Sequence, residues 1–283
     1  MQWRYYKPYW ELMRFHKPVG IFLLLWPTLW GLWAAAGDRP PPLRILLVLI
    51  VGTVLMRAAG CVINDIADIK IDRHVVRTRD RPLTSGQVTL AQALMLFAVL
   101  LGSAGCLVWF FMPWVIPLAI LGAGLAVIYP FMKRLIQAPQ LVLGLAFAWG
   151  IPMAFATLHQ PLSWSCWYLF IVAVLWSVMY DTLYAMADRA DDLKIGVHST
   201  AIWFGSYDRM IIGVLQIVLC ALWLVFGVEH HYGSIYFFTL SCVVLLFLYQ
   251  QYLIRYRNPA ACFCAFLNNQ WVGLVWFIGL LLS

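Results

Sequence analysis

Charged residues are scarce in this 283-residue sequence. Only 11% of its residues are Asp, Glu, Lys or Arg, 64% are hydrophobic, and the mean hydropathy is +0.83. Soluble globular domains carry roughly 25% charged residues, so this composition excludes that class. A nucleic-acid-binding module is excluded as well, despite the formal net charge of +7, because no such motif is present. We therefore expect an integral membrane protein surrounded by the lipid bilayer.

Cysteine and histidine offer little chemistry. The seven cysteines are odd in number and almost all lie in apolar runs, which predicts free packing residues without disulfides. No His or Cys accompanies the clustered carboxylates described below, which argues against zinc or copper. We also find no sign of an obligate protein partner.

Nine apolar runs are long enough to cross about 30 Å of hydrocarbon as helices. They cover residues 18–36, 44–64, 90–111, 113–130, 139–157, 164–187, 210–228, 234–254 and 266–282, and the shortness of the last leaves eight as an alternative. The sequence thus predicts an all-α, polytopic membrane helical bundle that forms one domain, 1–283. Residues 1–17 are rich in aromatics and are expected to lie at the interface. Two polar segments, 65–89 and 188–209, are expected to be cap loops.

The basic residues predict the orientation of these spans. If the N-terminus is cytoplasmic, sixteen of the nineteen Lys and Arg residues lie on the cytoplasmic side. Arg39 and Arg44 then lie on the opposite side, and Arg57 lies within the second span. This bias follows the positive-inside rule and predicts a multi-pass membrane protein with a cytoplasmic N-terminus.

Eight of the twelve acidic residues fall in two short segments. Carboxylates are costly near lipid and persist where they pair, bind cations or face water. The predicted topology places both segments on the cytoplasmic face, which suggests one polynuclear metal site. The eight residues are Asp65, Asp68, Asp72, Asp80, Asp181, Asp188, Asp191 and Asp192.

Helical spacing resolves each cluster into a stripe. Asn64, Asp68 and Asp72 are spaced i, i+4 and i+8, and a second stripe is spaced i, i+7 and i+11. Such oxygen donors suit Mg²⁺. The second stripe consists of Asp181, Asp188 and Asp192.

A simpler explanation is that the carboxylates are solvated helix-end groups paired with Lys70, Arg73 and Arg189. Two matching stripes and many further cations favour a site for a metal-bridged diphosphate, in which Lys and Arg bind the remaining phosphate oxygens. Those cations are Arg77, Arg79, Arg81, Lys133, Arg134, Lys194 and Arg209.

Four sequence blocks resemble the signatures of the UbiA superfamily of intramembrane prenyltransferases. The similarity extends over nearly the whole chain and is greatest to members that act on 4-hydroxybenzoate in ubiquinone biosynthesis. The blocks are Asn64-Asp65-x-x-Asp68-x-x-x-Asp72, Arg77-Thr78-x-x-Arg81-Pro82, Tyr129-Pro130-x-x-Lys133-Arg134 and Tyr180-Asp181-x-x-Tyr184-Ala185-x-x-Asp188-x-x-x-Asp192.

The resemblance implies nine helices around a central cavity that opens sideways to lipid and is capped by the two polar segments. It also implies Mg²⁺-dependent transfer of a polyprenyl group from polyprenyl diphosphate to the ortho (C3) carbon of 4-hydroxybenzoate. Two Mg²⁺ ions would be held by Asn64, Asp68, Asp72, Asp181, Asp188 and Asp192, of which Asp68, Asp72, Asp188 and Asp192 are also candidate catalytic residues.

Further roles follow from the same resemblance. Arg77, Arg81, Lys133, Arg134 and Lys194 would assist with the diphosphate. Aromatic faces stabilise carbocations and exclude water, which makes Tyr129, Tyr180 and Tyr184 candidates to surround the prenyl cation. Either Asp191 or the released diphosphate would accept the proton lost from the ring.

Arg57 is the candidate for the acceptor's carboxylate. It lies seven residues before Asn64, on nearly the same helix face and about two turns deeper, where an unpaired Arg is expensive. It would bind that carboxylate or pair with an aspartate. Arg14 is the competing candidate.

Three other functions are alternatives. A prenyltransferase of this kind for homogentisate, dihydroxynaphthoate or haem would keep the metal site and change the acceptor pocket. A phospho-alcohol transferase would carry one compact Asp-Gly-x-x-Ala-Arg type motif, which is absent. A cation transporter would place its acidic residues near the membrane midplane, whereas here they cluster at one interface.

Overall fold

The computed structural model describes residues 3–73 and 78–283, with backbone alone at residues 3, 4, 70 and 71. Throughout this part of the chain the regular structure is helical, so the all-α prediction is confirmed. The helices are α1 (Trp3–Leu12), α2 (Val19–Ala36), α3 (Leu43–Asp72), α4 (Leu90–Phe111), α5 (Ile116–Met132), α6 (Pro139–Ala148), α7 (Gly150–Thr157), α8 (Trp164–Ile195), α9 (Thr200–Phe204), α10 (Asp208–Glu229), α11 (Ser234–Leu253) and α12 (Pro259–Leu281), with short 3₁₀ turns before α5, before α10 and after α11.

Nine helical stretches in the described part of the chain are long and apolar enough to cross a membrane. Each overlaps one of the nine predicted runs, which confirms that prediction. The last one begins earlier than predicted, at Pro259, because Asn258 caps it by accepting from the backbone of Ala260 and Ala261. All seven cysteines are free.

Two helices extend well beyond their apolar runs. α3 has 30 residues and α8 has 32, so Asp72 and Asp192 both belong to final helical turns. α8 ends at Gly196, whose φ of 70° is the left-handed conformation that terminates many helices. The segments 65–89 and 188–209, expected as loops, therefore both begin as helix, and the second also contains α9.

A cluster of buried tryptophans joins α2, α8, α10, α11 and α12. Trp30, Trp176, Trp223 and Trp276 are all fully buried, and the rings of Trp30 and Trp276 are 4.6 Å apart. The Tyr236 hydroxyl donates to the Trp223 carbonyl at 2.6 Å and accepts from Trp276 Nε1 at 3.0 Å. These aromatics form a packed core, and none of the four tryptophans lines the cavity described below.

A cavity of about 1680 Å³ lies among α2, α3, α4, α5, the α6–α7 pair and α8. It runs from the carboxylates at one end of the bundle to Val48 and Met112 near the other. Twenty residues of α3 separate Asp68 from Val48, which corresponds to about 30 Å of helix. The cavity therefore has a polar end and a long apolar arm.

The fifth span is broken where it lines this cavity. α6 ends at Ala148 and α7 begins at Gly150, because Pro152 has no N–H to donate to the Ala148 carbonyl. Trp149 lies at the break, and its Nε1 donates to the Leu118 carbonyl of α5 at 2.7 Å.

Candidate active site

The two predicted stripes face the same cavity. Their residues occupy the last turns of α3 and the second half of α8, at the same end of the bundle. The cavity lining includes Asn64, Asp68, Asp72, Asp181, Asp188, Asp191 and Asp192. Residues about 115 positions apart in the chain thus form one oxygen-rich end of the cavity.

Lys133 lies between the stripes. Its Nζ is 3.4 Å from Asp68 Oδ2 and 3.5 Å from Asn64 Oδ1, and its charge also acts on Asp181. Burial alone would lower the pKa of Lys133. The nearby Tyr129, Asp68 and Asp181 raise it by more than burial lowers it, so the pKa is raised overall. The ammonium is therefore held charged where the stripes meet.

Local packing positions Lys133. α5 ends at Met132, and the Lys133 carbonyl accepts from the His198 N–H at 2.9 Å. The Thr200 N–H donates to Gln140 Oε1 at 3.0 Å, which ties the start of α9 to α6. These two hydrogen bonds hold the segment after α8 against Lys133 and against the start of α6.

A buried carboxylate to which the sequence analysis assigned no role, Asp65, lies beside the first stripe. Asp65 is 1% exposed and accepts from Arg14 Nη2 at 2.8 and 3.1 Å and from Arg81 Nη1 at 3.1 Å. Arg81 also donates to Asp72 Oδ2 at 2.7 Å. Asp65 and Asp72 are spaced i and i+7, which places them on nearly the same helix face. This spacing is the sequence pattern that could have identified Asp65.

The hydrogen bonds to Asp65 hold Arg14 and Arg81 beside the first stripe. Arg14 has a φ of 60°, an unusual backbone conformation for a residue with a side chain, and it turns the chain after α1 toward α3. Asp65 thus binds both the N-terminal segment and the segment after α3. Because Arg14 is engaged by Asp65, it is a weaker candidate for the acceptor's carboxylate than Arg57.

The other predicted cations are placed differently. Arg134 is exposed, donates to the Ala67 carbonyl at 2.6 Å and is 3.5 Å from Asp68 Oδ1. Lys194 is exposed and pairs with Asp191 at 3.1 Å. Neither Arg134 nor Lys194 lines the cavity. Arg77 lies outside the described residues, as does the side chain of Lys70.

Arg189 does not pair with the second stripe, as the simpler explanation required. It donates to Asp208, to the Ala201 carbonyl at 2.6 Å and to the Gly205 carbonyl at 3.3 Å. Asp208 is fully buried and also accepts from Arg257 Nε at 2.9 Å. That cluster joins α8 and α9 to the start of α10 and to the turn before α12.

Below the carboxylates, Arg57 lies beside an aromatic ring. Its guanidinium lies 5.7 Å from the centre of the Phe147 ring and packs against Gly20, where an added Cβ would be 2.3 Å from Nη2. No described carboxylate lies within ion-pair distance of Arg57. Its charge acts on Tyr129, Tyr180 and Asp181.

The three predicted tyrosines all line the cavity. Lys133 Nζ is 5.8 Å from the centre of the Tyr129 ring. Tyr180 is buried, with its ring 5.0 Å from that of Trp176, and Tyr184 lies 5.0 Å from Phe266. The structure thus brings a cation, aromatic faces and carboxylates together around one enclosed space.

Residues 24–278 match the UbiA prenyltransferase family. The chain belongs to this family. A Vibrio campbellii protein described as 4-hydroxybenzoate octaprenyltransferase is 52% identical over 277 residues, covering 98% of this chain and 97% of that protein. A Providencia stuartii protein of the same description is 54% identical, covering 97% and 95%.

Solved structures of UbiA homologues share the fold. The apo homologue from Aeropyrum pernix superposes with a TM-score of 0.81 at 23% identity, covering 93% of this chain and 97% of that one. A homologue from Archaeoglobus fulgidus bound to GPP and Mg²⁺ has a TM-score of 0.73 at 14% identity, covering 97% and 98%. The described part of this chain therefore has the fold of these homologues.

Proposed function

We propose that this protein transfers the polyprenyl group of a polyprenyl diphosphate to the C3 carbon of 4-hydroxybenzoate, releasing diphosphate, as a step of ubiquinone biosynthesis. The observation that carries the proposal is one cavity with facing carboxylate stripes at its polar end and a long apolar arm. Full-length relatives at about half identity, described as 4-hydroxybenzoate octaprenyltransferases, support this acceptor.

The donor set at the polar end fits Mg²⁺. All six candidate ligands present oxygen atoms, which this ion prefers, and the first stripe already attracts a cation in the form of Lys133. Within the described residues, no three His, Cys, Asp or Glu side chains converge into a metal-binding group. Instead, the positive charges of Arg81 and Lys133 neutralise the carboxylates of Asp72 and Asp68.

Mg²⁺ held by Asn64, Asp68 and Asp72 and by Asp181, Asp188 and Asp192 would neutralise charge on the diphosphate leaving group. Lys133 and Arg81 would then turn from the carboxylates to the phosphate oxygens, and Arg77, Arg134 and Lys194 would assist with the diphosphate. Charge-assisted hydrogen bonds of this kind stabilise a departing diphosphate most strongly where water is excluded.

The chemistry at carbon follows from the aromatic lining. Heterolysis of the allylic C–O bond leaves its electron pair on the diphosphate and a cation on the prenyl group. The faces of Tyr129, Tyr180 and Tyr184 stabilise that cation and exclude water. The ring carbon ortho to the hydroxyl then forms the new C–C bond, and its proton passes to Asp191 or to the diphosphate.

Arg57 would bind the carboxylate of 4-hydroxybenzoate. It lies seven residues from Asn64 along α3, about 10 Å deeper than the carboxylates. A guanidinium can bind a carboxylate through two parallel hydrogen bonds, which would orient the ring with its ortho carbon toward the polar end. We also propose that the N-terminus is cytoplasmic and that residues 1–17 lie at the surface of the inner membrane.

The decisive experiment is an acceptor assay with the purified protein in detergent or nanodiscs. Radiolabelled prenyl diphosphate is supplied with 4-hydroxybenzoate, homogentisate or dihydroxynaphthoate, with Mg²⁺ or with excess EDTA. We expect a Mg²⁺-dependent prenylated product from 4-hydroxybenzoate. Product from another acceptor alone would overturn the assignment of substrate, and the absence of product from every acceptor would overturn the assignment as a transferase.

A further inference from the structure

The indole of Trp149 lines the cavity at about half its depth. Its Nε1 donates to the Leu118 carbonyl of α5 at 2.7 Å, and its Cδ1 would be only 2.5 Å from a Cβ added to Gly122. The ring of Phe170 of α8 lies edge-on to the indole at 5.9 Å. Trp149 thus joins the break between α6 and α7 to α5.

The depth of this contact follows from helix geometry. Trp149 is ten residues from Pro139 and Gly122 is ten from Met132, so both lie about 15 Å from the polar ends of their helices. Phe147 lines the cavity on the polar side of this level, and Met153 and Met112 line the apolar arm beyond it.

The indole can lie this close to α5 only because residue 122 is glycine. Any side chain there would collide with Cδ1, so the ring would have to move away from α5. The hydrogen bond to Leu118 and the packing against Phe170 restrict that movement. The width of the cavity beside the indole therefore depends on the contact between Trp149 and Gly122.

We propose that Trp149, seated on Gly122, is a gate that determines how well the enzyme accepts donors of different prenyl length; this rests on the proposed function. An extended chain advances about 3.4 Å for every three covalent bonds. On that basis the seven-bond backbone of a geranyl group spans about 8 Å and ends before the gate, while the fifteen-bond backbone of a geranylgeranyl group spans about 17 Å and reaches past it.

The chain offers a matched pair of variants to test the gate. G122A adds a methyl group against the indole, whereas G124A adds one on the same helix where nothing lies within 4 Å. Both changes affect helix propensity alike. G122A should lower kcat/KM for geranylgeranyl diphosphate about tenfold more than for geranyl diphosphate, because crowding a tight contact is costly. G124A should leave that ratio unchanged.

A double variant tests whether the effect passes through the indole. In a W149A background, adding G122A should no longer change the ratio of the two kcat/KM values. W149F should shift the ratio toward the longer donor, and it remains informative if G122A does not fold. A ratio that stays the same in G122A and W149F, in an active preparation, would overturn the gate. Lack of product from the wild type with every donor would instead overturn the proposed function.

Discussion

Replacing Arg57 by Gln should raise the KM for 4-hydroxybenzoate about 10- to 100-fold and change the KM for the prenyl donor much less. A hydrogen bond to a charged group contributes about 1.5–3 kcal/mol, and 1.4 kcal/mol corresponds to a factor of ten. Arg57 is half-buried, packs against Gly20 and Phe147, and has no described carboxylate within ion-pair distance. Its charge is therefore available to a bound acid.

The assay compares steady-state constants for 4-hydroxybenzoate and its methyl ester in both proteins. In the wild type the ester should be the poorer acceptor, since it has lost the charge that Arg57 binds. In R57Q the acid and the ester should become equivalent. This comparison separates recognition of the carboxylate from general damage to the site.

Arg44 provides the control for this experiment. It lies on the same helix near the opposite end, over the Phe111 ring at 4.7 Å, and does not line the cavity. R44Q should leave both KM values unchanged. Equal increases for donor and acceptor in R57Q, or an undiminished preference for the acid over the ester, would refute the role of Arg57.

Three further variants address the polar end of the cavity. D68N should lower kcat about 10³-fold or more if a metal-held carboxylate stabilises the leaving group, and near-normal turnover with Mg²⁺ would contradict that. D65N should lower the free energy of unfolding by about 3 kcal/mol. This value is the low end for a broken buried ion pair, because Arg14 and Arg81 are about one-fifth exposed. An unchanged denaturation midpoint in detergent would refute this prediction. K133A should raise the KM for the prenyl donor about tenfold or more, measured with 4-hydroxybenzoate saturating, and an effect confined to the acceptor would place Lys133 elsewhere.

The helices of this protein follow closely from its sequence. Uninterrupted apolar runs predicted all nine spans, because lipid leaves the backbone no hydrogen-bonding partner outside the helix. The prediction was wrong at the start of the last span, which begins seven residues earlier, at Pro259. Asn258 caps the helix there by accepting from the backbone of Ala260 and Ala261.

The ends of α3 and α8 show a second limit. The charged residues predict loops from 65 and from 188, whereas the helices continue to Asp72 and Ile195. Hydropathy identifies the part of a helix that lies in lipid. It does not show where a helix continues beyond it with its carboxylates paired or facing a cavity.

What the sequence alone determined is the order along each helix. The 3.6-residue period places Asn64, Asp68 and Asp72 on one face, wherever that face points. Only the tertiary structure decided which groups meet across helices: Asp65 with Arg14 and Arg81, and Trp149 with Gly122. Such pairings depend on how whole helices pack against one another, a property that no local pattern encodes.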